Sequence, residues 1–355
     1  MASVIFWISF AAVFYVYCGY PLLLLLWRWM VRKPIHKADW EPFVSVVIAA
    51  HNEREHMDAK LRNCLDLDYP HDKLEIILSL DGPTDGTENV ARRYEGSGIT
   101  VLYSPVHGGK AVALNRALAA ARGEVIVFAD ARQQISHNAV RELVANLRDS
   151  SVGAVSGELI LLDGASRGTE EASNAVGMYW RYEKWIRAME SDIHSAAGAT
   201  GALYAIRREF FTPLPDNTIL DDVLIPMRIV LLGKRVVFEP SAKAYDNVAC
   251  CPEAEFGRKV RTLAGNYQLL TQKPELLLPW RNPVFLQFVS HKAGRLLVPY
   301  FLAALFLANC FLLQGFYLVT FGFQVAWYLS AFAGRLLFRT QTASHMTKPF
   351  VLGHR

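Results

Sequence analysis

Two long stretches without a charged side chain constrain this chain more than any other feature. Residues 1 to 27 contain no Asp, Glu, Lys or Arg, and the run from Val4 to Trp27 exceeds the roughly 20 residues that cross a hydrocarbon core of about 30 Å. A cleaved signal peptide would carry positive charge before its apolar stretch, whereas Arg28, Arg32, Lys33 and Lys37 all follow it. Helices in soluble cores rarely run so far uncharged, so residues 1–30 are read as a transmembrane helix. The positive-inside rule then puts the N-terminus outside and the chain after Trp27 in the cytoplasm. The second stretch, Leu296 to Gly334, is 39 residues long, about twice what one crossing needs. It predicts a helical hairpin over 296–338 that turns between Asn309 and Gly315, with Arg335 and Arg339 returning a tail, 339–355, to the cytoplasm. Before it, 276–295 mixes Trp280, Phe285, Phe288 and Val289 with Arg281, Lys292 and Arg295 and is broken by Pro279 and Pro283. That mixture predicts an amphipathic segment lying along the interface. The expected protein is a multi-pass component of the inner (cell) membrane whose residues 31–275 form a cytoplasmic domain.

With 52% apolar residues among 355, the chain is neither disordered nor collagen-like. Its 37 Lys and Arg against 33 Asp and Glu leave a net charge of +4, too small an excess to point to nucleic acid as a partner. The five cysteines, Cys18, Cys64, Cys250, Cys251 and Cys310, form no C-x-x-C pair and no spaced framework, so they read as reduced thiols.

Within the cytoplasmic domain, strand-like runs at Val44 to Ala50, Leu74 to Leu80, Ile99 to Tyr103 and Val125 to Phe128 alternate with helical stretches such as Met57 to Leu65 and Gly109 to Arg122. This is the pattern of an α/β domain with a parallel sheet. Such sheets bind ligands at the carboxyl ends of their strands. The polar residues there read His51-Asn52-Glu53, Asp81-Gly82-Pro83-Thr84-Asp85-Gly86 and Asp130-Ala131-Arg132. One aspartate at a strand end is usually a cap or turn residue, which is the favoured reading of Asp85. Carboxylates at three successive strand ends point instead to a site for a sugar, a base or a metal-bound phosphate.

Gly108-Gly109-Lys110 lacks the spacing and the hydroxyl of a phosphate loop, and no G-x-G-x-x-G opens a helix after the first strand. A nucleotide triphosphatase and a dinucleotide cofactor are therefore unsupported. Lys110 opens a helix at a strand end, where reaching a diphosphate and being merely solvated stand as equal readings. After residue 150 the pattern changes. Val152 to Leu162 reads as a strand and Asn174 to Met189 as an amphipathic helix. Gly198 to Ala202 is a small-residue segment that lets a backbone approach a ligand. Leu220-Asp221-Asp222 opens a helix through Leu232, with capping the strong reading for Asp221 and weaker for Asp222. Glu255 to Leu270 carries Arg258, Lys259 and Arg261 on an amphipathic helix, whose plain reading is a headgroup-facing surface.

Taken in order, VSVVIAAHNE (Val44 to Glu53), LDGPTDG (Leu80 to Gly86), Gly109-Lys110 through Asn115, Phe128-Ala129-Asp130-Ala131-Arg132, TGALYAIRR (Thr200 to Arg208), Leu220-Asp221-Asp222 and RKVRTLAGN (Arg258 to Asn266) resemble glycosyltransferase family 2. The chain is similar to its membrane-bound bacterial cellulose, hyaluronan and poly-N-acetylglucosamine synthase group over roughly residues 40 to 310. The resemblance implies a GT-A fold, a nucleotide-diphosphate sugar donor, usually uridine-linked, and hexosyl transfer with inversion. It implies that Glu53 and Asp81 contact the nucleoside and that Asp130 holds the diphosphate through Mg2+ or Mn2+. It further implies that Asp222, the last acid of the family's T-E-D element, is the general base, and that Arg258 and Arg261 stand where Q-x-x-R-W lies near diphosphate and acceptor. An inverting transfer does need one carboxylate to take the acceptor proton and positive charge to stabilise the departing diphosphate.

Two positions depart from the family pattern. The second acid of D-x-D is Arg132, which leaves metal ligation to fewer carboxylates or substitutes for the ion's charge. The aromatic of Q-x-x-R-W is also absent, since Thr262 follows Arg261, which puts processivity in question. The acceptor expected is a growing polysaccharide or a glycolipid. Single transfer to a polyprenyl-linked carrier, and a catalytically silent subunit that binds nucleotide sugar for a synthase, are the alternatives. Three membrane helices are few for a polymer channel, so a homo-oligomer or a synthase partner is expected to supply more.

Overall fold

The computed structural model describes residues 1–162, 170–247 and 252–351. Cys18, Cys64 and Cys310 are free thiols, while Cys250 and Cys251 lie outside the described residues. The chain divides into two compact units, Tyr20–Leu296 and Met1–Gly19 with Leu297–Arg355.

The first helix, α1 (Ala2–Phe14), passes through a π turn, Tyr15–Gly19, into α2 (Tyr20–Met30). In the larger unit the β-branched and apolar runs become strands because both sheet faces are covered: the central runs Val44–Ala50, Leu74–Asp81, Val125–Ala129 and Leu203–Arg207 are almost wholly buried, whereas Ile99–Ser104 at one edge buries only Ile99. Chain order is β1 (Val44–Ala50), α3 (Arg54–Leu65), β2 (Leu74–Asp81), α4 (Thr87–Ala91), β3 (Ile99–Ser104), α5 (Lys110–Ala120), β4 (Val125–Ala129), β5 (Gln134–Ile135), α6 (Ala139–Leu147), β6 (Val152–Leu162), α7 (Glu170–Ile193), β7 (Leu203–Arg207), α8 (Asp221–Leu231), β8 (Arg235–Asn247) and α9 (Pro252–Gln272). The eight strands form one sheet in the order β3-β2-β1-β4-β7-β6-β8-β5. One core layer packs α3 and α6 on one face through Met57, Leu61, Leu143 and Val144, and the other packs α5 and α8 through Leu114, Leu118, Leu224 and Ile229.

The fully parallel sheet expected from the alternation holds for β1 to β4 and again for the β6–β8 pair, but not throughout. β7 runs antiparallel to both β4 and β6, and β5 antiparallel to β8, so the sheet is mixed. The pairing of Ala129 with Leu203 shows why: β7 starts at the carboxyl edge, beside the small-residue loop Gly198 to Ala202, rather than at the opposite edge where a crossover strand would enter. This reversal brings that loop alongside the strand end that carries Asp130.

Also in this unit, α2 packs Tyr20, Leu24 and Trp27 against Ile186, Met189 and Ile193 of α7, and Arg28 meets Asp192 at 2.7 Å. The segment expected to lie along the interface divides in two. Pro274–Leu277 is a 3-10 turn, whereas α10 (Phe285–Gln287) continues through a π turn, Phe288–Ala293, into α11 (Gly294–Cys310). The helix read as starting at Leu296 thus starts at Phe285, because Arg295 turns onto a buried carboxylate instead of breaking the helix. In the smaller unit α1 meets the hairpin. Phe6 lies edge-on to Tyr317 at 5.1 Å, and the Asn309 amide sits 3.0 Å from Thr320 Oγ1. The hairpin turns at Phe311 to Gly315, and its second helix, α12 (Phe316–Val351), runs well past the expected end at residue 338. Among the described residues three helices, Ala2–Met30, Phe285–Cys310 and Phe316–Gly334, are long and apolar enough to cross a membrane.

Candidate active site

The carboxyl edge of β1, β2 and β4 carries the expected acids, each differently placed. Asp81 ends β2 almost fully buried, and its carboxylate accepts the N–H groups of Gly108 and Gly109 at 2.9 and 2.7 Å. It therefore braces the loop that starts α5. Gly82 permits this, since a Cβ there would lie 2.5 Å from the His107 backbone nitrogen. The His107 and His51 rings lie against each other, tilted by 33° with centroids 4.0 Å apart. Glu53 follows β1 half-buried, and burial raises its pKa above the ordinary carboxylate range. Its backbone N–H donates to Thr87 Oγ1 at 2.9 Å, while Asp85, read as a turn residue, accepts from the Thr87 and Arg54 N–H groups.

Lys110 is not merely solvated. Its ammonium bridges Asp130 Oδ1 at 2.9 Å and Asp221 Oδ1 at 3.2 Å, joining strand β4 to helix α8. Burial would lower its pKa, but Asp130, Asp221 and Asp222 together raise it further. The other Asp221 oxygen accepts the Tyr204 hydroxyl at 3.1 Å, and the Tyr204 ring stacks on Phe128 at 4.4 Å. Asp221 is thus both a helix-opening acid and a ligand of Lys110.

Asp222 differs. Among the described residues its carboxylate accepts no hydrogen bond and joins no ion pair, and its pKa is pushed up to about 6, by burial first and by the charge of Asp221 next. It faces Gly201, where a Cβ would come within 2.9 Å of Oδ2. Its backbone is tied to the same loop through an unusual device. Pro226 stands four residues on inside α8 and has no N–H to give the Asp222 carbonyl. That carbonyl instead accepts the Ala199 N–H at 2.8 Å.

Arg132 leaves the cluster, reaching back to Asp246 on β8, with two nitrogen–oxygen contacts of 3.3 Å, and Gln133 joins the same carboxylate at 2.9 Å. Beneath this loop the fully buried Lys60 donates to the Gln133 carbonyl at 2.8 Å. Arg258 and Arg261 are exposed on α9. The helix is nevertheless seated on the loop before Asp221, with Gln268 bonded to Ile219 and Asn217 and a Cβ at Gly265 falling 2.4 Å from Leu220. At 1.5 Å per residue the two arginines lie about 6 and 10 Å along the axis from that contact. Sequence reasoning missed Tyr204, Asp246, Lys60 and Pro226. Only Pro226, a proline one turn after paired acids, left a local signal.

Residues 45–213 match the family model described as glycosyl transferase family 2. The chain carries a glycosyltransferase family 2 domain. The fold is GT-A. A mannosyltransferase from Pyrobaculum calidifontis, solved in complex with GDP-mannose and Mn2+, superposes with a TM-score of 0.73, covering 97% of this chain and 95% of that one at 23% identity. In sequence, the chain is 28% identical over 240 residues to a probable glycosyltransferase, YdaM, of Bacillus subtilis, which covers 63% of this chain and 55% of that protein. It is also 23% identical over 248 residues to a poly-β-1,6-N-acetyl-D-glucosamine synthase of Staphylococcus aureus, covering 67% and 58%. The chain thus spans little more than half the length of these relatives. The match to the family 2 model takes in Glu53, Asp81, Lys110, Asp130 and Arg132 but stops before Asp222, Arg258 and Arg261.

Proposed function

We propose that the chain is a membrane-bound inverting glycosyltransferase that moves a hexosyl group from a nucleotide-diphosphate sugar to a polysaccharide or lipid-linked acceptor at the cytoplasmic face. The observation that carries this reading is the contrast between Asp222, unpartnered and raised to about 6, and the neighbouring Asp221, held by Lys110 and Tyr204. A carboxylate left unpaired at the ligand-binding edge of such a sheet is suited to take a proton. In this mechanism Asp222 accepts the proton of the acceptor hydroxyl, whose oxygen bonds to the anomeric carbon as the bond to the nucleoside diphosphate breaks on the opposite face. Lys110 carries the positive charge nearest the departing phosphates. Glu53, together with the loop that Asp81 braces, lines the nucleoside end.

Among the described residues no three metal-ligating side chains converge. A single carboxylate still fits Mg2+ or Mn2+, which complete their shells with phosphate oxygens and water, and Asp130 is the residue that would hold the ion. Bound there, the ion would neutralise charge building on the leaving diphosphate. Arg132, committed to Asp246, would act on the donor only by leaving that pair.

The likeness to the mannosyltransferase in complex with GDP-mannose adds guanosine donors to the uridine donors that the sequence favours. Full-length detergent-purified protein offered a panel of UDP- and GDP-sugars is expected to release nucleoside diphosphate from one of them, and product length then separates polymer from single transfer. Binding without release from any donor would favour the silent subunit. For the membrane reading, cysteines introduced near residue 2 and near Gly315 should label from outside the cell, and one near Lys37 only after permeabilisation. Labelling of Lys37 from outside would reverse the topology.

A further inference from the structure

Three loops meet at the nucleoside end of the carboxyl edge, and two of them hold a histidine in place. β1 ends at His51, and Asn52 then turns the chain at φ 54°, the one positive φ outside glycine among the described residues. Asparagine tolerates that conformation. Its side chain is clamped to the β2 loop, accepting the Thr84 N–H at 2.7 Å and donating to Thr84 Oγ1 at 3.2 Å. His51 Nδ1 lies 2.7 Å from the Asp81 carbonyl oxygen. From the third loop, His107 Nδ1 lies 2.8 Å from Asp81 Oδ2 and 3.2 Å from the same carbonyl. Each of these partners is a carbonyl or carboxylate oxygen, which only accepts, so Nδ1 carries the proton and Nε2 of the neutral imidazole is left as an acceptor. Among the described residues neither Nε2 has a hydrogen-bond partner, and both side chains are exposed.

Asp81 itself is closed to a ligand. Its side chain is 3% exposed, and besides His107 its carboxylate takes the Gly108 and Gly109 N–H groups. The hydrogen-bonding groups turned outward here are therefore the two imidazole acceptors that Asp81 orients. Lys110 follows His107 by three residues and stands at the diphosphate end; three residues span at most about 11 Å, which leaves one nucleoside between them. We propose that His51 and His107 read the base of the sugar donor and select guanine. This rests on the glycosyltransferase reading and narrows its donor class. Guanine offers two adjacent donors, N1–H and the 2-amino group, to two adjacent acceptors. Uracil offers one N–H flanked by two carbonyl oxygens, so one of the two imidazole acceptors would face another acceptor. A site built to hydrogen-bond a group rejects the analogue that lacks it, because the site's own polar atoms go unpaired. The backbone of both histidines is set before a base arrives, by the left-handed turn at Asn52 and by the close approach of Gly82 to the His107 nitrogen.

The test is a calorimetric titration of full-length protein in detergent with GDP, IDP and UDP, at about pH 8, where imidazole is neutral. Wild type is expected to bind GDP at least about tenfold more tightly than UDP, and IDP, which lacks the 2-amino group, roughly 3- to 10-fold more weakly than GDP, the range for one lost hydrogen bond. The amide of His107→Asn reproduces the Nδ1 donor toward Asp81 but places no acceptor at Nε2. It should weaken GDP by roughly 3- to 10-fold and leave UDP binding unchanged, and His51→Asn should do the same. Binding of UDP as tight as that of GDP, or of IDP as tight as that of GDP, would overturn guanine selection in wild type, whatever the variants do. Equal losses for GDP and UDP in the Asn variants would make the histidines braces of the loop and overturn their part in reading the base. Failure of wild type to bind any of the three nucleotides would sink the glycosyltransferase reading itself, a result distinct from binding without preference.

Discussion

Two buried charge clusters lie in the same unit and obey different rules. Around Glu183 and Glu190 every carboxylate oxygen meets a donor, from His291, Arg187, Arg295, Tyr20 or the Ala197 backbone. Burial opposes ionisation of Glu183, yet His291, Arg187 and Arg295 hold its pKa well below the carboxylate range. Around Asp130, Asp221 and Asp222 one ammonium is shared by two acids while the third is left without a partner, and its pKa is pushed up to about 6. A satisfied network locks helices together. An unsatisfied one keeps a proton acceptor ready, and its cost is borne by the rest of the fold.

The sharpest break of this comparison is chemical. Asp222→Asn should lower transfer by about 10²- to 10⁴-fold, the usual size of general-base catalysis, with donor binding intact in the same preparation. Turnover within a few-fold of wild type would show that the unpaired acid is not the base. Next in size, Glu183→Gln should destabilise the domain by about 3 kcal/mol, since the buried Glu183 would no longer offset the charge of the partly buried Arg187 and Arg295. Thermal unfolding in detergent reads this, and nucleotide binding at low temperature should survive. Asp130→Asn should weaken nucleotide binding in the presence of Mg2+ or Mn2+ by roughly tenfold and leave binding in chelator unaltered. Equal loss in both conditions would deny Asp130 the ion.

Linkage makes the contrast visible without substrate. The folded Asp222 carboxyl, at about 6, titrates above its ordinary value of 3.8, so its ionisation opposes folding. That penalty is absent at low pH and grows as pH rises from about 4 through 6. Asp222→Asn should therefore unfold at a higher temperature than wild type at pH 7, with the gap closing as the pH falls through that window. Transfer by wild type should fall along the same limb. The smallest effect belongs to Arg258→Ala and Arg261→Ala. Both are exposed on α9, so each should cost a few-fold at low salt, less at high salt, consistent with screened surface charge.

Much of this was legible in the chain alone because it is local. The lengths of the uncharged runs, the strand–helix alternation through Phe128 and the acids at strand ends follow from how neighbouring residues share a face or a terminus. The ordered motifs, too, were enough to suggest the family. What the sequence did not contain was partnership across distance. Arg132 reads as a donor-binding cation until β8 brings Asp246 beside it, 114 residues away. Lys110 could be merely solvated until α8 presents Asp221 to it, and Lys292 and Arg295 read as interfacial until α7 offers Glu183 to Arg295. Even the sheet's direction after β4 was decided by where the loop Gly198 to Ala202 returns the chain, a choice that strand patterning does not encode because a strand buries the same faces in either direction. Sequence set the elements and the chemistry at their ends. Tertiary packing decided which charges were neutralised and which were left to act, because Coulomb energies and desolvation depend on neighbours in space rather than along the chain.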